Sequence, residues 1–351
     1  MDYGDIAGRV REAAAAGTAL AVRGGNTRSF LGREATGEPF DVSSCRGIVD
    51  YDPSELVITV RCGTPLTEVE TALAEHGQML PFEPPRFGPA STIGGMVASG
   101  LSGPRRPWAG SVRDYVLGVA CVSGRGEVLR FGGRVMKNVA GYDVSRLMTS
   151  ALGTPGIVVE TSFKVLPVPT AESTRAFEMT EEGAIEFMRN VGVTPLPVSA
   201  TAYHDGRLLV RLSGSEAGVR AGETRLGGEP VADGAAFWKS LRDQAHPFFD
   251  GDAPLWRLSL PPAAPPLNLD GPHCPSGAGR CAGCAGNTTT LSNSTRRWRR
   301  IAATRACIAT AIAAATSSAA PDPVTRRLYQ RLKEQFDSDR IINPGRMYRA
   351  L

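Results

Sequence analysis

Residues 23–32 read RGGNTRSFLG, and residues 91–100 read STIGGMVASG. Both set paired glycines among hydroxyl, amide or guanidinium side chains. Backbone N–H groups converge on a phosphate only where side chains leave room, so either loop has the chemistry of an anion cradle. In the first, Asn26, Thr27 and Ser29 add donors; in the second, Ser91, Thr92 and Ser99 do. The first is not a P-loop, because no Gly-Lys-Ser/Thr follows, and it lacks G-x-G-x-x-G. Taken singly, the first reads equally as a tight turn and the second as a glycine-rich helix start in a packed core.

Outward from these loops the pattern is mixed. Residues 5–16 (DIAGRVREAAAA) have helical composition and 19–23 form a short strand leading into the first loop. Residues 55–61 (ELVITVR) are β-branched and read as a strand. Residues 64–76 start with Thr-Pro, carry Leu66, Val69 and Leu73 on one face and stop at Gly77, as a capped amphipathic helix does. Residues 111–132 predict a strand–turn–strand with Arg113 and Asp114 at its mouth, and the turn 153–156 feeds a strand at 157–166. The stiff LPVPT at 166–170 is a boundary. Beyond it, strands are expected near 198–203 and 207–212 and helices near 181–190 and 235–245. PPAAPP at 261–266 marks a linker, and 323–337 carries Leu328, Leu332 and Phe336 as a helical stripe before INPGRMY at 342–348.

A chain of 351 residues, 42% hydrophobic, is large enough for two packed units and excludes a disordered or collagen-like protein. Its 40 glycines and 26 prolines predict many turns and backbone-lined loops. A net charge of +4, spread along the chain, does not mark a nucleic-acid binder. No charged-then-apolar leader and no apolar run of about 20 residues is present, so the expectation is a cytoplasmic protein with reduced thiols. Cys45, Cys62 and Cys121 read as packed thiols.

Five segments then fall in one order: RGGNTRSFLG, LPFEPPRFG, TIGGMVASGLSGPRRPWAGSVRDYVLG, VMKNVAGYDVSRLMTSALGTPGIV and NPGRMY. Together they resemble the vanillyl-alcohol-oxidase/PCMH-type FAD-binding family and, within it, the FAD-binding subunits of glycolate oxidase, over about residues 5–265 and 322–351. The resemblance implies an α+β fold: a PCMH-type FAD-binding domain at 1–168, a cap-like α+β domain at 169–320 and a C-terminal return segment at 321–351. It implies that Arg23, Gly24, Gly25, Asn26, Thr27, Arg28 and Ser29 bind the FAD pyrophosphate. Thr92, Ile93, Gly94, Gly95, Ser99 and Gly100 would line the phosphate and flavin side. Asp114 would sit near the adenosine ribose, Gly156 and Ile157 would offer backbone contacts to adenine or isoalloxazine, and Asn343 and Arg346 would return to the flavin domain. Some relatives attach FAD through a histidine in or near the first loop. Here the histidines are His76, His204, His246 and His273, so non-covalent FAD is expected.

The implied reaction is oxidation of glycolate to glyoxylate, with hydride passing to the flavin. No convincing base stands out. Tyr142, Asp143, Lys137 and Arg146 are candidates for a site-facing loop, but read more readily as a salt-bridged structural loop, and His204 and His246 as lone structural histidines. The resemblance implies two partners, a larger FAD-containing subunit that carries the substrate chemistry and an iron–sulfur subunit, with membrane association only through them. The alternatives are a stand-alone FAD-dependent dehydrogenase of another 2-hydroxy acid and a non-catalytic assembly subunit that keeps the fold.

Residues 268–320 break the pattern. Cys281 and Cys284 have metal-ligand spacing, with Cys274 and Cys307 nearby, yet the stretch shows no steady apolar period, and RRWRR reads as a solvated face. Only four of the 39 basic residues are lysines, as a GC-rich gene would give. Shifting residues 302–313 by one nucleotide permits Gly-His-Ala-Arg-Val-Tyr-Arg, similar to a GHAxxYR-type segment of those subunits. The expectation is a double frameshift over about 270–320, with no metal site.

Overall fold

The computed structural model describes residues 1–134, 141–250, 255–259, 273–276, 281–285, 304–308, 321–349 and 351. The amino-terminal helix Tyr3–Ala15 opens on an Asp2 capping box and buries Ile6, Val10 and Ala13. The strand Leu20–Arg23 pairs in parallel with Glu38–Asp41. Beside them lies a five-stranded antiparallel sheet in the order Ile48–Asp52, Val57–Arg61, Ile157–Lys164, Val116–Val122, Val128–Gly132. Alternation along a central strand sends side chains to both faces. Val119 and Cys121 enter one core with Leu66, Val69, Leu73, Phe82, Met96 and Phe163. Ala120 and Val122 enter the other, with Ile6, Val10, Leu20, Ile157 and Ile342.

The helix expected at 64–76 spans Leu66–Ala74 and buries Leu66, Val69 and Leu73, but Thr64 does not cap it. The Thr64 hydroxyl instead donates to the Arg61 carbonyl at 2.7 Å and accepts from the Gly47 N–H at 2.8 Å. The segment 111–132 begins with a helical turn, Val112–Tyr115, before its hairpin.

A second sheet has eight antiparallel strands, with Ala171–Glu178, Arg207–Gly214 and Val198–His204 adjacent. Helix Glu181–Val191 and helix Glu216–Leu226 cover one face, where Met188, Val191 and Val219 meet Leu208, Val210 and Leu212. The opposite face carries Ala200, Ala202 and Leu209 against Trp238 and Phe248, and it closes on Leu31 and Leu101 of the first unit. The same face brings Arg211 to Glu83 at 2.9 Å.

Within the stretch read as frameshifted, His273–Ser276, Cys281–Ala285 and Thr304–Ile308 are strands of the second sheet, as is Leu255–Ser259. The remainder of 270–320 and the linker 261–266 lie outside the described residues. The helix Pro323–Phe336 follows, and its stripe departs from expectation: Leu328 is 53% exposed, while Lys333 is buried. Residues 341–343 then run beside the first strand, with a parallel bridge from Leu20 to Ile342. Among the described residues, no helix is long and apolar enough to cross a membrane.

Candidate cofactor site

The first loop leaves the strand Leu20–Arg23 and turns through Asn26, whose φ is 54°. It lies directly on the loop before the second motif. A Cβ on Gly25 would stand 1.5 Å from the Ala90 carbonyl oxygen, and one on Gly24 2.6 Å from the Thr92 hydroxyl. Only glycine permits that approach. Arg28 is buried across this seam, donating from Nη1 to the Ser91 hydroxyl at 2.6 Å and from Nη2 to the Pro85 carbonyl at 2.5 Å. Its guanidinium stands 5.4 Å from the centre of the Phe87 ring. Its Nε is buried without a hydrogen-bond partner among the described residues. Among the described residues no carboxylate pairs with it, and burial alone pushes its pKa down to about 10.

The backbone N–H groups of Gly25, Asn26, Thr27 and Arg28 donate to no protein acceptor among the described residues. Several loop carbonyls, by contrast, are occupied. Arg346 donates to the carbonyls of Arg33 at 2.6 Å, Ser29 at 3.3 Å and Arg28 at 3.5 Å. Burial, and then the neighbouring charge of Arg23, lower the pKa of Arg346. A buried guanidinium without a counter-ion among the described residues, with a run of amides that donate to none of them, is the donor set that a diphosphate satisfies, so the residues present fit FAD.

Asn343 joins the strand that leads into the first loop to a third segment. Its Oδ1 accepts from the Val22 N–H at 2.8 Å, and its Nδ2 donates to the Gly153 carbonyl at 3.1 Å. Arg23, Gly24, Gly25, Asn26, Thr27, Arg28, Ser29, Thr92, Asn343 and Arg346 therefore lie in one connected neighbourhood.

Several of the sequence-predicted residues, Thr92 among them, spend polar groups on local structure. Thr92 caps the helix Ile93–Ser99, accepting from the Gly95 N–H at 3.3 Å. The Ile93 and Gly94 N–H groups bond to the carbonyls of Thr64 and Cys62 at 3.0 and 2.7 Å. Ser99 donates to the Met96 carbonyl, and Gly100, at φ 62°, ends that helix. Asp114 accepts from the N–H and hydroxyl of Ser111, both at 2.8 Å. Burial would raise its pKa, but those bonds and the charges of Arg113 and Arg146 hold it below the ordinary value. Gly156 abuts the Val122 carbonyl, and the Ile157 side chain enters the second core.

The candidate bases do not converge. Tyr142 is 95% exposed, Asp143 caps a short helix and pairs with Arg146 at 3.3 Å, and Lys137 lies outside the described residues. His204 and His246 are not lone: their rings meet edge-on at 5.4 Å, and Nδ1 of His246 accepts from the Phe248 N–H. A cavity of about 150 Å³ does open between the two units. Pro85, Leu101, Ser102 and Arg106 line it from one side, and Thr201, Arg242, Phe248 and Arg257 from the other. Pro85 also accepts from Arg28, so the cavity adjoins the cradle. Among the described residues, no Asp, Glu, His or Lys lines it. Sequence reasoning missed its arginines, which sit in unrelated segments and share no spacing signal.

Comparison with known proteins accords with this geometry. A family model described as FAD binding domain matches residues 2–132. Glycolate oxidase subunit GlcE of Escherichia coli (strain K12) is 46% identical over 344 residues, 98% of this chain and 96% of that protein. Glycolate oxidase subunit GlcD of Bacillus subtilis (strain 168) is 36% identical over 127 residues, 36% of this chain and only 27% of its own length. Among solved structures, an alkyldihydroxyacetonephosphate synthase superposes with a TM-score of 0.66 at 16% identity, covering 97% of this chain and 74% of that one, which shows the fold alone. Identity at this level extends through both units and the C-terminal segment, and the chain belongs to the FAD-binding glycolate oxidase subunit GlcE family.

Proposed function

We propose that this chain is the FAD-carrying subunit of a complex that oxidises glycolate to glyoxylate, and that it holds FAD without a covalent bond. The observation that carries the cofactor reading is buried Arg28, a cation without a carboxylate partner among the described residues, beside the free amides of residues 25–28. Arg28 and those amides would neutralise the diphosphate, and Arg346 would keep the loop carbonyls turned to itself. When bound, FAD supplies a two-electron acceptor for the hydride of a 2-hydroxy acid.

Arg106, Arg242 and Arg257 line the cavity beside Pro85, Arg242 already paired with Asp243 at 2.7 Å, and among the described residues no lining side chain can take the hydroxyl proton. That supports placing substrate chemistry on a larger FAD-containing partner, with an iron–sulfur subunit as the electron outlet and any membrane attachment running through them. The same arginine-lined cavity favours one rival, a stand-alone dehydrogenase of another 2-hydroxy acid.

The test is to purify the chain alone and with its partners, record the visible spectrum, and add glycolate. The expected result is a flavin band whose chromophore is released by acid as FAD, with rapid bleaching by glycolate only in the assembled complex. A chain that takes up no FAD overturns the cofactor reading. Bleaching of the isolated chain at a normal catalytic rate overturns the division of labour.

A further inference from the structure

Lys333 is the buried position of its helix, and its ammonium donates three hydrogen bonds. Nζ reaches the Thr154 carbonyl at 2.7 Å, Asp337 Oδ2 at 2.6 Å and the Ile342 carbonyl at 2.6 Å. Asp337, fully buried, accepts in turn from the Ile341 and Ile342 N–H groups at 2.9 and 2.8 Å. Stability is a poor reason for such a pair, since well-packed apolar residues usually serve a fold as well or better. Geometry gives a better one. Thr154 belongs to the turn that leads to Gly156, and Ile342 bridges Leu20, three residues before the first loop starts at Arg23. Asn343 repeats the link beside it, from Val22 to Gly153.

We propose that Lys333, with Asp337, is a positioning residue for the cofactor: it ties the turn at 153–156 to the C-terminal segment that also holds the strand leading into the first loop, so that this loop keeps its place. This rests on the FAD reading above. Neither residue touches the cradle itself; Lys333 acts through Thr154 and Ile342, and Asp337 through Ile341 and Ile342.

The experiment uses the full chain loaded with FAD, in complex if the partners are needed. Lys333→Met keeps the length of the stem and removes every donor. Asn343→Gly tolerates the left-handed φ of 46° and removes both side-chain links. Arg331→Ala, at an exposed position on the same helix, is the control. FAD dissociation is followed by recovery of flavin fluorescence, and folding by circular dichroism. Both linker variants are expected to release FAD about tenfold faster or more, the scale of one charge-assisted hydrogen bond, while the control matches wild type. A purely structural lysine would lower the unfolding midpoint and leave the release rate of the folded protein unchanged, which overturns the proposal. If Lys333→Met does not fold, Lys333→Gln, which keeps a donor on a shorter stem, decides by the same release rate. A wild-type chain that holds no FAD overturns the underlying reading and the proposal with it; FAD-loaded variants with wild-type release overturn the proposal alone.

Discussion

The guanidinium of Arg211 stands 2.9 Å from the carboxylate of Glu83, one residue from each unit. Glu83 also accepts from Arg105, and Arg105 and Arg211 both reach Glu172. Arg211 lies 5.2 Å from the Trp238 ring centre, so the ionic knot is sealed on one side by an aromatic core. These pairs join the segment before Pro85, which lines the cavity, to the second sheet.

Glu83→Gln is expected to destabilise the chain by about 3 kcal/mol, because it leaves two buried guanidiniums short of a counter-charge. Burial alone would raise the Glu83 pKa, but Arg211 and Arg105 outweigh it and hold it below the ordinary carboxylate range. A depressed folded pKa contributes stability that is present above the unfolded value of about 4.3 and is lost as pH falls through the folded one. Urea denaturation should therefore separate wild type from Glu83→Gln near neutral pH and converge in acid. Equal midpoints at pH 7 would refute this.

Arg28→Met should show two opposite effects. FAD affinity is expected to fall roughly ten- to hundredfold with the loss of one or two charge-assisted hydrogen bonds. The apoprotein, freed of a buried cation without a counter-ion, should be as stable as wild type or more so. Titration with FAD and thermal melts without it check both, and a destabilised apoprotein with normal affinity would be the contrary result.

Gly25→Ala puts a methyl group into the space of the Ala90 carbonyl oxygen. The two loops must part, at a cost of about 1–3 kcal/mol or more. Weaker FAD binding and a lower denaturation midpoint are expected together; an unchanged midpoint would show that the loops are not in contact.

Cys62 and Cys121 are buried, and burial pushes both thiols up to about 12. At pH 8 they are neutral and unreactive in the native protein. Thiol labelling followed by peptide mapping should find them unmodified until denaturant is added. Rapid native labelling of either would contradict their placement in the core.

Residues 23–29 stood out as a candidate anion cradle because paired glycines next to donors are a local signal. Its partner was not: Arg28 meets Ser91 across 63 residues, and no periodicity links them. The strand Ala171–Glu178 escaped because AESTRAFE alternates weakly, and the helix Glu216–Leu226 because EAGVRAGETRL carries few apolar residues. His204 and His246 looked solitary for the same reason as Arg28: a sheet and a loop bring them together, not spacing. Lys333 was hidden more deeply. Hydrophobic patterning assigns a lysine to the solvent face, whereas the cap of its own helix, the segment that follows it and the distant Thr154 carbonyl draw this one inside.

The pairing of Val22 with Asn343 spans 321 residues. A nascent chain therefore makes the strand that opens its first loop almost at the start of synthesis, yet has no partner for one edge of it until nearly all the rest has been translated. Closing so long a loop is entropically costly and slow, so the cradle is expected to be finished late. Ribosome-bound chains stalled before residue 341 should then take up no FAD, while chains extended through residue 346 and clear of the exit tunnel should. On that account cofactor loading is an event of the completed chain, and the long wait is when the first loop is most open to proteolysis.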